Sequence, residues 1–263
     1  MATAARELSR RPAPRFTCRL AEGRREIEES LRLRHRVFVE EMGAEIDDPD
    51  SGLERDQYDR HCHHLLVRDN RDGRLVASTR ILTQERAAFA GGFYSAGEFD
   101  LDAVLSAPGR FMEIGRTCVA REHRRGAVIA VLWSGVSGFI RHGGYSHLIG
   151  CASIELDEGM ARAHAIHARL AASHGSPAEY RVAPRLALPG EPPAETGNPR
   201  LPPLLKAYIS LGATVGGPPC WDPDFKVADL FMHLQVANLC PRYVRHFLQR
   251  SRPAVPRAVA AHP

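Results

Sequence analysis

Lysine is almost missing from this 263-residue chain: Lys206 and Lys226 are its only two, and arginine supplies the rest of the 35 basic side chains. No two cysteines stand in a C-x-x-C spacing. Cys18, Cys62, Cys118, Cys151, Cys220 and Cys240 are scattered, which argues against a zinc ribbon or a disulfide framework. No apolar run approaches the ~20 residues that a membrane-crossing helix needs. The opening stretch, MATAARELSRRPAPR, has no apolar core like that of a signal peptide. A cytoplasmic protein is the expectation. The net charge of +4 is small. It suits an acidic partner or contact with the inner face of a membrane and does not call for nucleic acid. No internal repeat and no independent second domain stand out.

What the chain does have is concentrated between Phe111 and Val131, FMEIGRTCVAREHRRGAVIAV. This reads as a strand, a basic glycine-containing turn and an apolar helix. Apolar neighbours on both faces mark a central, buried strand. Glu113 and Arg116 interrupt it. Charges there cost several kcal/mol unless paired, so they are either a structural ion pair or a site. Arg124, Arg125, Gly126 and Ala127 lead into the helix, and a helix N-terminus behind basic residues suits a phosphate.

Before this segment the sequence predicts a disordered tail over 1–15, a strand over 15–20 and a helix over 26–42. Arg34 and Phe38, four apart, share one face of that helix. An acidic stretch over 43–60 follows, containing Asp47, Asp48, Asp50, Glu54, Asp56 and Asp59. It is either solvated surface or a place for an amine. His61, Cys62, His63 and His64 stand too close together for a known zinc spacing, and no metal site is expected. Strands over 64–69 and 75–82 flank the turn Asn70–Gly73 and read as a hairpin ending near Arg80. Residues 91–100 form a glycine and aromatic loop carrying Phe93, Tyr94 and Phe99, which are either core aromatics or the lining of an apolar pocket.

After the central strand come a helix over 127–142, a buried strand over 146–154 and a helix over 158–174. A proline-rich connection over 175–203 is of the length that is usually functional or mobile. A short helix over 204–213, a turn over 221–226 and a strand over 227–236, at or near a sheet edge, close the domain. Residues 243–252 read as a basic amphipathic helix able to lie on an anionic membrane or pack on the domain. The order predicts a mixed α/β fold, with one domain over 16–248 and a tail over 249–263.

These residues resemble the GCN5-related N-acyltransferase superfamily, a mixed central sheet flanked by helices, here with a C-terminal extension. The superfamily's pyrophosphate turn, Gln/Arg-x-x-Gly-x-Gly/Ala, is only approached by His123-Arg-Arg-Gly126-Ala-Val128. A finer resemblance is to the ornithine-lipid-type N-acyltransferases, themselves similar to acyl-homoserine-lactone synthases. It is carried by Leu33–Phe38, by Asp56–Asp59 with His63–Leu65, by Gly91–Ser95 with Glu98–Leu101, and by Met112–Arg116 with Cys118-Val119. Leu204–Ala213 and Asp222–Asp229 also fit. The synthases have a tryptophan shortly after the Phe38 equivalent, where this chain has Met42-Gly-Ala, which speaks against lactone synthesis.

The resemblance implies a donor on acyl carrier protein, often a 3-hydroxyacyl chain, with acyl-CoA less favoured because the turn departs from the usual pattern. It implies ornithine or a similar amino acid as acceptor, no permanently bound cofactor, and site residues Arg34, Phe38, Asp56, Asp59, Arg80, Glu113 and Arg116. On this reading Glu113 is the base and Arg116 pairs with it or with an acidic neighbour. Asp56 and Asp59 hold the acceptor amines. Phe93, Tyr94 and Phe99 line the acyl tunnel, and residues 124–127 take the phosphopantetheine phosphate.

Overall fold

The computed structural model describes residues 13–124, 127–156, 159–192 and 197–239. In chain order the elements are β1 (Phe16–Leu20), α1 (Gly23–Arg34), β2 (His63–Asp69), β3 (Leu75–Thr83), α2 (Gln84–Ala90), α3 (Ser95–Glu98), α4 (Asp102–Leu105), β4 (Phe111–Val119), α5 (Ala127–Gly143), β5 (His147–Glu155), α6 (Met160–His174), α7 (Pro203–Leu211), β6 (Thr214–Val215), β7 (Cys220–Asp222) and β8 (Val227–Gln235). The strands form one mixed sheet in the order β1-β2-β3-β4-β5-β8-β6, with β7 also on β8. Only the β4–β5 pair is parallel. It needs a crossover, and α5 supplies it.

Period-2 alternation divides the core between the two faces. Met112, Ile114 and Leu148 enter the larger apolar cluster beneath α5, whereas Phe111, Ile149 and Phe231 enter a second cluster on the opposite face. Leu132, Trp133, Val136 and Phe139 bring the apolar side of α5 onto the first cluster. Full burial of each such side chain is worth about 1.5–3 kcal/mol. Gly135 lets the helix sit close, since a Cβ there would lie 2.5 Å from the Cys18 sulfur.

Two elements differ from the sequence expectation. The helix expected over 26–42 is α-helical to Arg34 and then widens into a π-helical segment, His35–Glu41. That local change of pitch has no hydrophobic-period signature. The strand β8 lies near the edge, as expected, one place in, between β5 and the short β6 and β7. The turn expected over 221–226 begins as β7. Two- and three-residue strands leave no readable alternation.

The proline-rich connection is fastened at both sides in its described part. The Asp100 amide donates to the Ala183 carbonyl, and the Arg185 amide donates to the Glu98 carbonyl. On the other side, the Trp221 amide donates to the Leu186 carbonyl. It therefore straps the 95–100 segment to β7. Arg125 and Gly126, most of the N-terminal tail and the 243–252 helix lie outside the described residues. Among the described residues no helix is long and apolar enough to cross a membrane.

Candidate active site

The parallel pairing of β4 with β5 spans three positions, Phe111–Glu113 against His147–Ile149. At the next step the strands still touch, because Gly150 has no side chain: a Cβ there would fall 2.4 Å from the Ile114 carbonyl oxygen. Beyond it they part. The cleft between them is lined by Phe38, Tyr94, Glu113, the backbone of Ile114–Thr117, Cys151 and Ser153, and has a volume of about 80 Å³. Phe225 also lines an outer cavity of about 740 Å³, where Arg121, Arg124 and Lys226 stand among Glu40, Glu41 and Glu155. A narrow inner cleft beside a wide polar mouth suits a reactive group carried on a long arm.

Glu113 sits at the point where the strands part and is 3 % exposed. Its Oε2 accepts the Tyr94 amide at 2.7 Å, and its Oε1 accepts the Ser95 amide at 2.8 Å together with the Ser95 hydroxyl. A carboxylate has about four acceptor sites, so one remains on Oε2. Burial pushes the carboxyl above its usual range, against the pull of the Ser95 and Tyr94 donors. Glu113 and Arg116 are not paired with each other. The neighbour that holds Arg116 is Glu54.

Arg116 owes its position to a β-bulge. Ile81 pairs with Ile114 and Arg80 with Gly115, but the register then shifts, so Arg116 and Thr117 both oppose Thr79. Arg116 has φ +50°, a left-handed conformation unusual for a side-chain-bearing residue. The extra residue turns its side chain to the face already occupied by Arg80. There the guanidinium lies 4.7 Å over the Tyr94 ring and 4.4 Å over Phe225. Phe38 packs edge-on against Phe225 at 5.8 Å.

The arginines and carboxylates of this region close into a six-membered ring of alternating charge. Arg34 pairs with Glu54 and, at 2.5 Å, with Asp59. Arg80 bridges Asp59 at 3.2 Å and Asp56 at 2.6 Å. Arg116 bridges Asp56 at 3.4 Å and Glu54 at 3.1 Å. Burial would raise the Asp59 carboxyl, but Arg34 and Arg80 outweigh it and hold the group well below the usual range. Asp56 and Glu54 are lowered in the same way. The ring fastens the irregular 43–62 stretch to α1, β3 and β4. Two ring atoms, Arg80 Nη2 and Asp56 Oδ2, are buried without a hydrogen-bond partner.

The sequence-derived residues therefore fall into groups. Glu113, Arg116, Phe38 and Tyr94 line the cleft. Arg34, Asp56, Asp59 and Arg80 form the ring beside it, so Asp59 is consumed by arginines. Phe93 and Phe99 are buried in the second apolar cluster and line none of the cavities described. Arg124 stands at the mouth and pairs with Glu41 at 2.5 Å; Ala127 begins α5. The sequence reading passed over Glu54. Its signal was charge balance: three buried arginines need three carboxylates, and Glu113 is engaged elsewhere.

A second group was not foreseen as a unit. Glu98, Asp222 and Asp229 place a carboxylate oxygen each within 4.8 Å of one another. Asp222 and Asp229 line the inner cleft, and Glu98 and Asp222 line a neighbouring cavity bounded by Tyr58, Arg185 and Trp221. Burial and Asp229 push the Glu98 carboxyl up to about 8; burial pushes Asp229 to about 7 despite a 2.7 Å hydrogen bond from the Ser153 hydroxyl.

Residues 33–134 match the model for an acetyltransferase (GNAT) domain. The fold resembles that of BjaI, a CoA-dependent acyl-homoserine lactone synthase, with a TM-score of 0.54 at 17 % identity over 91 % of this chain and 92 % of the other. The chain is 34 % identical to the L-ornithine N(alpha)-acyltransferase of Rhizobium meliloti, covering 87 % of this chain and 83 % of that protein. It is 35 % identical to the enzyme of the same name from Agrobacterium fabrum, covering 87 % and 84 %. With 34–35 % identity across 87 % of its length, the chain is an acyltransferase and belongs to the L-ornithine N(alpha)-acyltransferase family.

Proposed function

We propose that the protein moves a long-chain 3-hydroxyacyl group from acyl carrier protein to the α-amino group of ornithine, giving a lyso-ornithine lipid. The observation that carries this reading is the cleft at the β4–β5 parting, with one unfilled acceptor site of Glu113 on its floor. The thioester carbonyl lies against β4, where a backbone N–H of Ile114–Thr117 meets the oxyanion. Glu113 takes a proton from the α-ammonium, directly or through water. The free amine attacks the carbonyl carbon and the C–S bond breaks; the second proton shed by the new amide nitrogen goes to the departing thiolate. Tyr94 and Phe225 hold Arg116 between them and keep the ring beside the reacting groups. Arg121 and Arg124, with Arg125 outside the described residues, serve the phosphopantetheine phosphate. The net charge of +4 suits an acidic carrier protein, so transfer slows as salt rises. Any membrane contact is peripheral, at the cytoplasmic face.

The test is transfer of a 3-hydroxyacyl chain to ornithine, with the donor supplied on carrier protein or on coenzyme A and the product read by mass spectrometry. N-acylornithine formed faster from the carrier protein is the expected result. Transfer from acetyl-CoA alone overturns the lipid reading. Glu113→Ala is expected to lower kcat by about 10²–10⁴-fold, while Ser95→Ala, which removes one anchor but leaves the carboxylate, loses far less. Equal losses would make Glu113 a support for the loop rather than a base.

A further inference from the structure

The acidic trio of Glu98, Asp222 and Asp229 has no role in the steps above, and its chemistry is incomplete as it stands. Both Glu98 carboxylate oxygens are buried and lack a hydrogen-bond partner. Tyr94 and Cys151 lie near enough to pull its pKa down, but neither completes a bond to it. The Cys151 thiol donates to Ser95 Oγ at 3.4 Å instead. Asp229 is 3 % exposed and has a single hydroxyl donor, Ser153. Asp222 Oδ1 accepts the Phe225 amide at 3.0 Å. Among the described residues no ion pair reaches the trio. Arg116 pulls on Asp229 from a distance but is committed to Glu54 and Asp56. Arg185 shares a cavity with Glu98 but spends its Nε on the Ala96 carbonyl at 2.7 Å.

Buried carboxylates that lack a cation are costly. Three acceptor groups converging within 4.8 Å, between the inner cleft lined by Asp222 and Asp229 and the neighbouring cavity lined by Glu98 and Asp222, match the three N–H donors of one ammonium group. A calcium ion would want six to eight oxygens and magnesium a full octahedron with several waters, more than this enclosed set offers. Resting on the reading that ornithine is the acceptor, we infer that Glu98, Asp222 and Asp229 bind its side-chain δ-ammonium and so select a diamino acid.

The consequence for the reaction is positional. Ornithine carries two amines, and the one buried among carboxylates is held protonated and cannot attack. The trimethylene chain then presents the other, the α-amine, towards Glu113. One site thus fixes both which amino acid is acylated and which of its nitrogens reacts. The fastening of the Glu98 carbonyl to the Arg185 amide gives the proline-rich strap a part in this, since it holds one wall of the ammonium pocket.

The experiment compares L-ornithine with L-norleucine, which puts a methyl group where ornithine has its δ-ammonium. Both are offered with the same 3-hydroxyacyl donor to the full chain and to Asp229→Asn and Glu98→Gln, with thermal unfolding as the check on folding. The unaltered protein is expected to favour ornithine in kcat/KM by roughly 10- to 100-fold, and each variant to erase most of that ratio through KM for ornithine. Calorimetric titration with ornithine alone gives the same comparison without turnover. Variants that fold and keep the full preference overturn the inference and leave the acyltransferase reading intact. Transfer to neither amino acid by the unaltered protein overturns the reading itself. An ornithine preference that vanishes when EDTA is added, and returns with a divalent cation, would assign the trio to a metal and overturn the inference.

Discussion

Two sets of three carboxylates, each with at least one buried member, are built in opposite ways. Glu54, Asp56 and Asp59 are matched one for one by Arg34, Arg80 and Arg116 in a closed ring. Glu98, Asp222 and Asp229 have no such matching cations. The first set keeps its charge because its neighbours supply the opposite sign. In the second, burial pushes Glu98 and Asp229 towards their protonated forms. A closed ring positions a loop and has little left to offer a ligand. An open trio retains unspent acceptor capacity, which is what a binding site needs.

Breaking the closed set has the largest expected effect. Arg34→Met leaves three buried carboxylates with only Arg80 and Arg116 between them, one positive charge short, and should cost about 3–5 kcal/mol in urea unfolding. A cost below about 1 kcal/mol would mean that the ring is dispensable and the contrast with the trio empty. Asp229→Asn should act in the other direction. It removes one uncompensated charge and keeps an acceptor for Ser153, so at pH 8 the ligand-free protein gains on the order of 1 kcal/mol. A loss comparable to that of Arg34→Met would show that the trio is structural.

The smallest effect, and the sharpest in sign, is the pH dependence. Ring carboxylates have folded pKa values below their unfolded ones near 4. Their contribution is present above that pH and lost as pH falls through the lower folded values. Glu98 and Asp229 have raised values, about 8 and about 7. Their contribution is present below the unfolded pKa near 4 and is lost as pH rises through the raised values. Asp229→Asn should therefore flatten the slope of stability between pH 4 and 8 and leave the acid limb below pH 4 unchanged. A change confined to the acid limb would contradict the assignment of charges.

Much of the fold was legible because its long elements carry strong periodic signals. The hairpin of β2 and β3, the central β4, the α5 crossover and β5 each combine an apolar pattern with a turn or a helix start. The mixed sheet followed from their order. The short β6 and β7 and the π-helical widening after Arg34 were not legible, because two or three residues, or a change of pitch, leave no period to read. The site was legible in its charged residues, and a network of Arg34 and Arg80 with the aspartates was to be expected, but the part of Glu54 was not. Ion pairs here join positions tens of residues apart, and the bulge that turns Arg116 towards Arg80 alters strand parity without a sequence mark. Phe93 and Phe99 read equally well as pocket or core, since burial of an aromatic has the same signature in both. Glu98, Asp222 and Asp229 come from a short helix and two strands, and only the folded sheet brings them together.

The closed ring also bears on how the chain is made. Its members come from α1, the acidic stretch, β3 and β4, and Arg116 is the last to leave the ribosome. Until Arg116 arrives, the three carboxylates have only two arginines between them, and the ring cannot be buried at neutral charge. The nascent N-terminal part is thus kept hydrated at its own centre until β4 has been synthesised.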